Sequence, residues 1–397
     1  MENHDDSRST NTVDAIRLQV EARLEESEKA GVEPAAPDGR SKDKGGITSQ
    51  FIRDSLFANE LGDANIYSKL FWHIFIHNIS SREWMVWKGH YWGIDIFNEA
   101  NAAVEDVAQI YLGEAHYILG QNSSTPEFSK IQSAIHKRIK RLRTDRGRVN
   151  CLKMACVLKD KPLVVSADVF DQDPWILACR NGVIDLRTGE LRPGRPTDWI
   201  SKACPVEWEG INTQCPIWEL TLRQIFTNHP ELVDYVARLL GYAITGLTTE
   251  NFFPILFGAG ANGKTLLMTV ISDVLGHLAA PMQSEMLLDQ GRNRNSAAPT
   301  PDIMAARGLR IGYLAETDED RKISPSRVKW LTGSDTLVGR APHDRRETCF
   351  KPTHTLILST NHLPHAPAND FAFWRRVHLI PFEISFVDGV PRKDNEF

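Results

Sequence analysis

Long apolar runs are missing from this 397-residue chain, and no segment approaches the roughly 20 uninterrupted apolar residues of a membrane-spanning helix. A basic start followed by an apolar stretch is missing too. The chain opens with Met1, Glu2, Asn3, His4, Asp5 and Asp6, so a secretory signal is not expected and the cytoplasm is the expected location. An excess of positive charge is lacking. The formal net charge of −5 excludes a uniformly basic nucleic-acid coat but not a local basic channel. Cysteine is sparse and scattered (Cys151, Cys156, Cys179, Cys204, Cys215 and Cys349), with no Cys-x-x-Cys pair and no histidines beside it at zinc spacing. That excludes a zinc ribbon or a disulfide scaffold and leaves reduced, partly buried thiols. No internal repeat is detectable. Apolar residues, by contrast, make up 42% of the chain, enough to build the cores of two or three domains.

Val13, Ile16, Val20 and Leu24 recur at helical spacing among charged residues, which predicts a short amphipathic helix. From Gly31 to Gly46 a linker composition rich in Pro, Gly, Asp and Lys follows. Order is expected to resume near Ser49, with helical patterning over residues 49–80 carried by Phe51, Leu56, Phe57, Leu61, Tyr67, Leu70, Phe71 and Trp72. Alternation of Trp84 and Val86 with Tyr91, across Lys88 and Gly89, predicts a hairpin, and residues 97–120 read as helix. Ile131, Ile135, Ile139 and Leu142 form an apolar stripe opposite the cations that run from His136 to Arg148. That basic run is either a solvated outer face or a phosphate-contacting one. Asn181 to Gly189 reads as two short strands joined by polar turns. Trp218 to Thr245 reads as helical, ending at Gly246.

Phe252 to Phe257 is a short apolar run suited to a buried parallel strand. Gly258, Ala259, Gly260, Ala261, Asn262, Gly263, Lys264 and Thr265 follow at once, and Leu266 to Leu275 reads as a helix stopped by Gly276. Strand, glycine loop, helix is the context in which Gly-x-x-x-x-Gly-Lys-Thr holds nucleotide phosphates. The glycines let backbone N–H groups turn toward phosphate oxygens, and the helix N-terminus adds its positive dipole end. Lys264 is then expected to neutralise β/γ charge and the Thr265 hydroxyl to coordinate Mg²⁺, which makes ATP and Mg²⁺ the expected cofactors.

Leu309 to Ala315 is a second strand candidate, and it ends in Glu316, with Asp318 close behind. A carboxylate at that point can hold Mg²⁺ or orient the attacking water. Glu316 is the first candidate for either task and Asp318 the second. Thr355 to Thr360 is a third buried strand and ends in Asn361, whose amide can bond the γ-phosphate or the lytic water. Arg375 and Arg376 precede the apolar stretch Val377 to Ile380. They are either surface ion-pairing groups or fingers reaching a neighbouring subunit's nucleotide.

Together these segments resemble the superfamily 3 helicases of phages, plasmids and DNA viruses. The nearest likeness is to the phage/plasmid primase family, similar to the poxvirus-type nucleoside triphosphatase. Gly258 to Thr265 resembles motif A and Leu314 to Thr317 motif B. Val328 to Asp335, closed by Arg340, resembles the superfamily's intervening motif. Leu358 to Pro364 with Phe373 to Arg376 resembles motif C and its arginine finger. Upstream, Gly62 to Ala64, Trp84 to Trp92, Asn181 to Gly189 and Leu239 to Gly246 resemble the N-terminal domain that accompanies this helicase.

The resemblance implies an α/β fold, an AAA+-like P-loop sheet flanked by helices and preceded by a mixed α+β domain. The expected domains are 1–48 (helix and linker), 49–212 (helicase-associated) and 213–397 (ATPase). It implies an ATP-dependent helicase or translocase working as a homo-hexameric ring on single-stranded DNA, with Arg375 or Arg376 supplied by a neighbour and no membrane partner. A hairpin between motif B and the Asn361 strand is implied to project into the central channel. Pro342 and Asp344 suit its turn, which places His343, Arg345 and Arg346 at the tip and Arg340 and Lys329 at the base as DNA-contacting candidates. Family members often carry a primase module upstream and a helical segment downstream. Priming on this chain is therefore not expected, a separate primase or initiator is a candidate partner, and the end at Phe397 reads as a shortened C-terminus. Two alternatives stay open: an ATP-driven origin-remodelling or DNA-loading initiator, and a truncated non-catalytic DNA-binding remnant.

Overall fold

The computed structural model describes residues 47–121, 125–289, 299–315, 322–340, 342, 347–363 and 365–387. The expected helix through Val13 to Leu24 and its linker lie outside the described residues. The chain divides into two units, Met1–Phe51 and Ile52–Phe397. Of the first, only residues 47–51 are described, opening helix α1 (Ser49–Phe57). Among the described residues no helix is long and apolar enough to cross a membrane.

In the second unit α2 (Glu60–Phe71) leads to β1 (Phe75–Asn78), β2 (Glu83–Trp87) and β3 (Trp92–Ile94). Next come α3 (Glu99–Ala102), α4 (Val104–Gly120), α5 (Pro126–Leu142), α6 (Asp145–Ala155) and β4 (Val164–Val165). The sheet order is β3–β2–β1–β4, with β4 parallel to β1 and the other pairs antiparallel. The expected hairpin is β2–β3, in register Trp87 with Trp92. The helical expectation over residues 49–80 holds only to Phe71. His73 takes a φ of 70°, and Phe75–Asn78 then pairs with β2, because cross-strand packing of aromatics outweighs a helix-like spacing this short.

On α5 the stripe Ile131, Ile135, Ile139 and Leu142 is buried, as its spacing predicts, but Arg138 is buried with it. Its guanidinium donates to Asp63 Oδ2 (3.2 Å) and Asn59 Oδ1 (2.7 Å), and Tyr111 donates to Asp63 Oδ1 (3.0 Å). Arg141 pairs with Glu60, and Arg143 and Arg148 pair with Glu105. Four cations of the basic run thus face carboxylates of α2 and α4. A three-stranded antiparallel sheet follows, β5 (Ile176–Cys179), β6 (Gly182–Asp185) and β7 (Glu190–Arg192). The stretch Asn181 to Gly189 supplies only its middle strand and the following turn.

After α7 (Pro216–Ile225) and α8 (Glu231–Thr245) come β8 (Phe253–Phe257), α9 (Lys264–Leu275), β9 (Ala279–Met282), α10 (Pro301–Ala305), β10 (Ile311–Ala315) and α11 (Pro325–Leu331). The order closes with β11 (Leu337–Gly339), β12 (Thr348–Phe350), β13 (Thr355–Thr360), α12 (Phe371–Trp374) and β14 (Val377–Pro381). Five of these strands form one all-parallel sheet, in the order β14–β8–β13–β10–β9. Strand β9, Ala-Ala-Pro-Met, was not expected. Its proline is tolerated because it lies at the sheet edge, and it makes Ile311–Ala315 the third strand and Thr355–Thr360 the fourth.

The period of two sorts side chains to both faces. Leu256, Ile311, Ile357 and Ile380 pack with Leu222, Ile225, Leu239 and Leu267 of α7, α8 and α9. Phe253, Ile255, Leu314 and Leu358 pack with Val328 and Leu331 of α11 and with Phe373. The sheet is thereby sandwiched, and its C-terminal edge, where β8 runs into the glycine loop, is left to the site.

Candidate nucleotide site

Helix α9 starts at Lys264, immediately after Gly263, which sits at φ 89°. A Cβ there would lie 2.8 Å from Ile225 Cδ1, so the position requires glycine for both backbone and space. Ala261 is also left-handed, at φ 57°. The loop is braced from behind. Asn262 is 4% exposed, and its Nδ2 donates to Ala259 O and to Phe382 O (3.1 Å). Phe386 N donates to Ala261 O (2.7 Å), and Phe382 N to Phe257 O (2.7 Å). The segment after β14 therefore fixes the loop's shape.

Lys264 is 7% exposed. Its ammonium donates to Gly258 O, to Asn262 Oδ1 (3.2 Å) and to Asn361 Oδ1 (3.0 Å). The last contact depends on topology. Strand β13 lies directly beside β8, with Thr360 opposite Phe257, so the residue after β13 meets the loop after β8. Gly260, Ala261, Asn262, Gly263, Lys264, Thr265, Ala315, Ser359, Asn361 and Phe386 are among the residues lining a cleft of about 600 Å³. Gly258 and Ala259 complete the loop, and Thr265, exposed, opens the first turn of α9. Ala315, the last residue of β10, reaches the cleft, while Glu316 and Asp318 lie outside the described residues.

Arg375 and Arg376 stand at the other end of the sheet. Val377 pairs with Phe253 at the start of β8, whereas the loop begins after Phe257, a strand length of roughly 15 Å away. Arg375 is exposed. Arg376 is half-buried, donates to Ala372 O (2.6 Å), and has its pKa lowered by burial and by Arg375 beside it. Lys329 on α11 pairs with Asp370 (3.0 Å) and holds that carboxyl below its ordinary pKa. Asp370 in turn caps α12 at Phe373 N. Arg340 N donates to Thr300 Oγ1 (2.8 Å) at the end of β11. Strands β11 and β12 form an antiparallel pair, Leu337 with Phe350 and Gly339 with Thr348, so the arms of the expected hairpin are present. The tip candidates His343, Arg345 and Arg346 lie outside the described residues.

Sequence reasoning missed Ile225 and Phe386, and gave Ser359 no role of its own within the segment Leu358 to Pro364. Nothing in their local pattern separates them from ordinary strand and core residues. Only the position of Phe386, just beyond the last strand of the sheet, could have drawn notice.

Fold and site define an α/β protein with a five-stranded parallel sheet, a glycine loop on one inner strand, and a mixed α+β region before it. Residues 64–227 match the family described as D5 N terminal like. The chain is 30% identical over 220 residues to the "Putative helicase L207/L206" of Acanthamoeba polyphaga mimivirus, covering 55% of this chain and 23% of that one. It is 26% identical over 284 residues to the "Putative helicase 022R" of Frog virus 3 (55% of this chain, 29% of the other). To the "Putative primase C962R" of African swine fever virus it is 26% identical over 235 residues (57% and 24%). These matches bear out the resemblance to the superfamily 3 helicases with their accompanying N-terminal domain. The chain spans about a quarter of the length of these relatives. Among solved structures, the NrS-1 C-terminal region is similar at 16% identity over 43% of this chain and 38% of that one, with a TM-score of 0.32.

Proposed function

We propose that this chain is the motor part of an ATP-dependent DNA helicase or translocase for phage- or plasmid-type replication, working as a ring-shaped oligomer, in keeping with a hexamer. The observation that carries the reading is the contact of Lys264 Nζ with Asn361 Oδ1 at 3.0 Å, at adjoining C-terminal strand ends. A cation and an amide held together there meet a γ-phosphate from two sides. Loop N–H groups bind the phosphates, Lys264 balances their charge, and Asn361 orients the lytic water. Mg²⁺ would be held by the Thr265 hydroxyl, exposed at the first turn of α9, and by Glu316, and would supply charge neutralisation at the β/γ oxygens. Arg375, exposed and a strand length from its own loop, fits a cation offered to the next subunit's cleft. The helicase part of the reading is supported by the names of the viral relatives, "Putative helicase"; single-stranded DNA is the substrate proposed with it. The test is ATP turnover with and without single-stranded DNA across protein concentration, with strand displacement measured in parallel. Stimulation by DNA and a rise in turnover per chain with concentration are expected. Lys264→Ala should drop turnover to background, and wild-type turnover in that variant would sink the assignment.

A further inference from the structure

We propose that Phe386 is the platform on which the nucleotide's base stacks. The inference rests on the cleft being a nucleotide site, and it adds the half that the motifs do not address. The polar side chains lining the cleft, Asn262, Lys264, Thr265, Ser359 and Asn361, all belong to the glycine loop, the start of α9 or the end of β13. They gather at the phosphate end. A nucleoside triphosphate seated there also carries a flat base, which those polar groups do not address. Among the described lining residues there is one aromatic ring, Phe386.

The ring is held for the task. Phe386 N donates to Ala261 O (2.7 Å), which ties the residue's backbone to the loop itself. Four residues earlier, Phe382 is bonded to both Phe257 and Asn262. The ring also lies against the bare face of Gly263. A Cβ at that position would be 3.6 Å from Phe386 Cε2, beside Ile225. Phe386 is only partly buried, packed on one side against the core that contains Ile225 and Phe382, and it borders the cleft on the other. A rigid, half-covered aromatic at a fixed distance from a phosphate loop presents a π-face to a flat heterocycle without paying to be ordered on binding.

The experiment separates base from phosphate. Titration calorimetry on the full chain would compare a non-hydrolysable ATP analogue with inorganic tripolyphosphate, which carries the same anionic chemistry and no base. Phe386→Ala should weaken the nucleotide on the order of tenfold, the usual scale for losing one base–aromatic stack, and leave tripolyphosphate unchanged. Phe386→Leu, which keeps apolar bulk and so protects the loop, should show the same split. Phe386→Trp should restore nucleotide affinity. Equal weakening of both ligands in the leucine variant would mean that the ring merely props the loop, and would overturn the proposal. So would a nucleotide affinity unchanged in both truncations. A wild-type chain that bound neither ligand would overturn the nucleotide-site reading and this one together.

Discussion

Gly246 ends helix α8 at φ 72°, and a Cβ on it would lie 1.9 Å from Arg310 Nη1. Arg310 is 6% exposed at the start of β10, and its guanidinium donates to Thr245 O and to Ile176 O (3.3 Å). Burial lowers its pKa, with Asp171 the first of the groups that oppose the fall. One arginine therefore ties the end of α8 and strand β5 to the strand that leads to Glu316, and the glycine makes room for it. Gly246→Ala combines a left-handed alanine with a displaced buried cation. The expected loss is roughly 2–6 kcal/mol, the sum of a backbone cost and an overpacking cost. Urea unfolding followed by tryptophan fluorescence would measure it, and a midpoint equal to wild type would show that the tie carries little. The site's own residues divide in the same way. The loop from Gly258 to Thr265 was legible because its chemistry is contiguous. The meeting of Lys264 with Asn361 was not, because it depends on which strand lies beside β8.

Strands β8, β10, β13 and β14 were legible as apolar runs bounded by turn residues, and α9 as the helix that follows a glycine loop. Strand β9 was hidden by its alanines and proline, and β1 by aromatics that continue the spacing of the helix before it. The inward turn of Arg138 was illegible because a long cation on an amphipathic helix can face either way until a buried partner, here Asp63, is known. His354, just before β13, is buried with its pKa lowered to about 4 by desolvation, and no periodicity marks it. On the proposed reading the β11–β12 pair carries the DNA-contacting hairpin. Lys329 is engaged with Asp370 and Arg340 sits at the end of an arm, which makes His343, Arg345 and Arg346 of the connecting segment the first candidates to contact a strand. Replacing Arg345 and Arg346 together by alanine should weaken single-stranded DNA binding several-fold at low salt. It should also flatten the salt dependence by about two phosphate contacts and leave basal ATP turnover near wild type. An unchanged salt slope would shift DNA contact to another surface. The run from Lys137 to Arg148 is a poor substitute, since four of its arginines already pair with carboxylates.

A parallel sheet separates its two ends by the length of its strands, and on the proposed reading that separation divides the site between two chains. The loop and Lys264 lie beyond the C-terminal end of β8, and Arg375 lies before β14, level with the start of β8. An arginine cannot fold back across a strand length of roughly 15 Å to its own cleft. Its partner at the same sheet end, Arg376, is half-buried and bonded to Ala372 O, so Arg375 is the one placed to reach outward. Phe371, 78% exposed, and Trp374, 38% exposed, flank it, and Leu266, 51% exposed, lines the cleft. In the proposed ring these two unlike surfaces would meet head to tail, the kind of contact that closes into a ring. The expected outcome is complementation. Lys264→Ala and Arg375→Ala chains should each be inactive alone. Mixed in equal amounts, they should regain a fraction of wild-type turnover, because some interfaces then join an intact loop to an intact arginine. Arg376→Ala should be less inhibitory than Arg375→Ala and should not complement, since its loss acts on its own chain's packing. Turnover would be followed across mixing ratios alongside sedimentation velocity. Activity of Arg375→Ala alone at the wild-type rate, or full activity in a species that sediments as a monomer, would place the whole site on one chain and remove the shared interface.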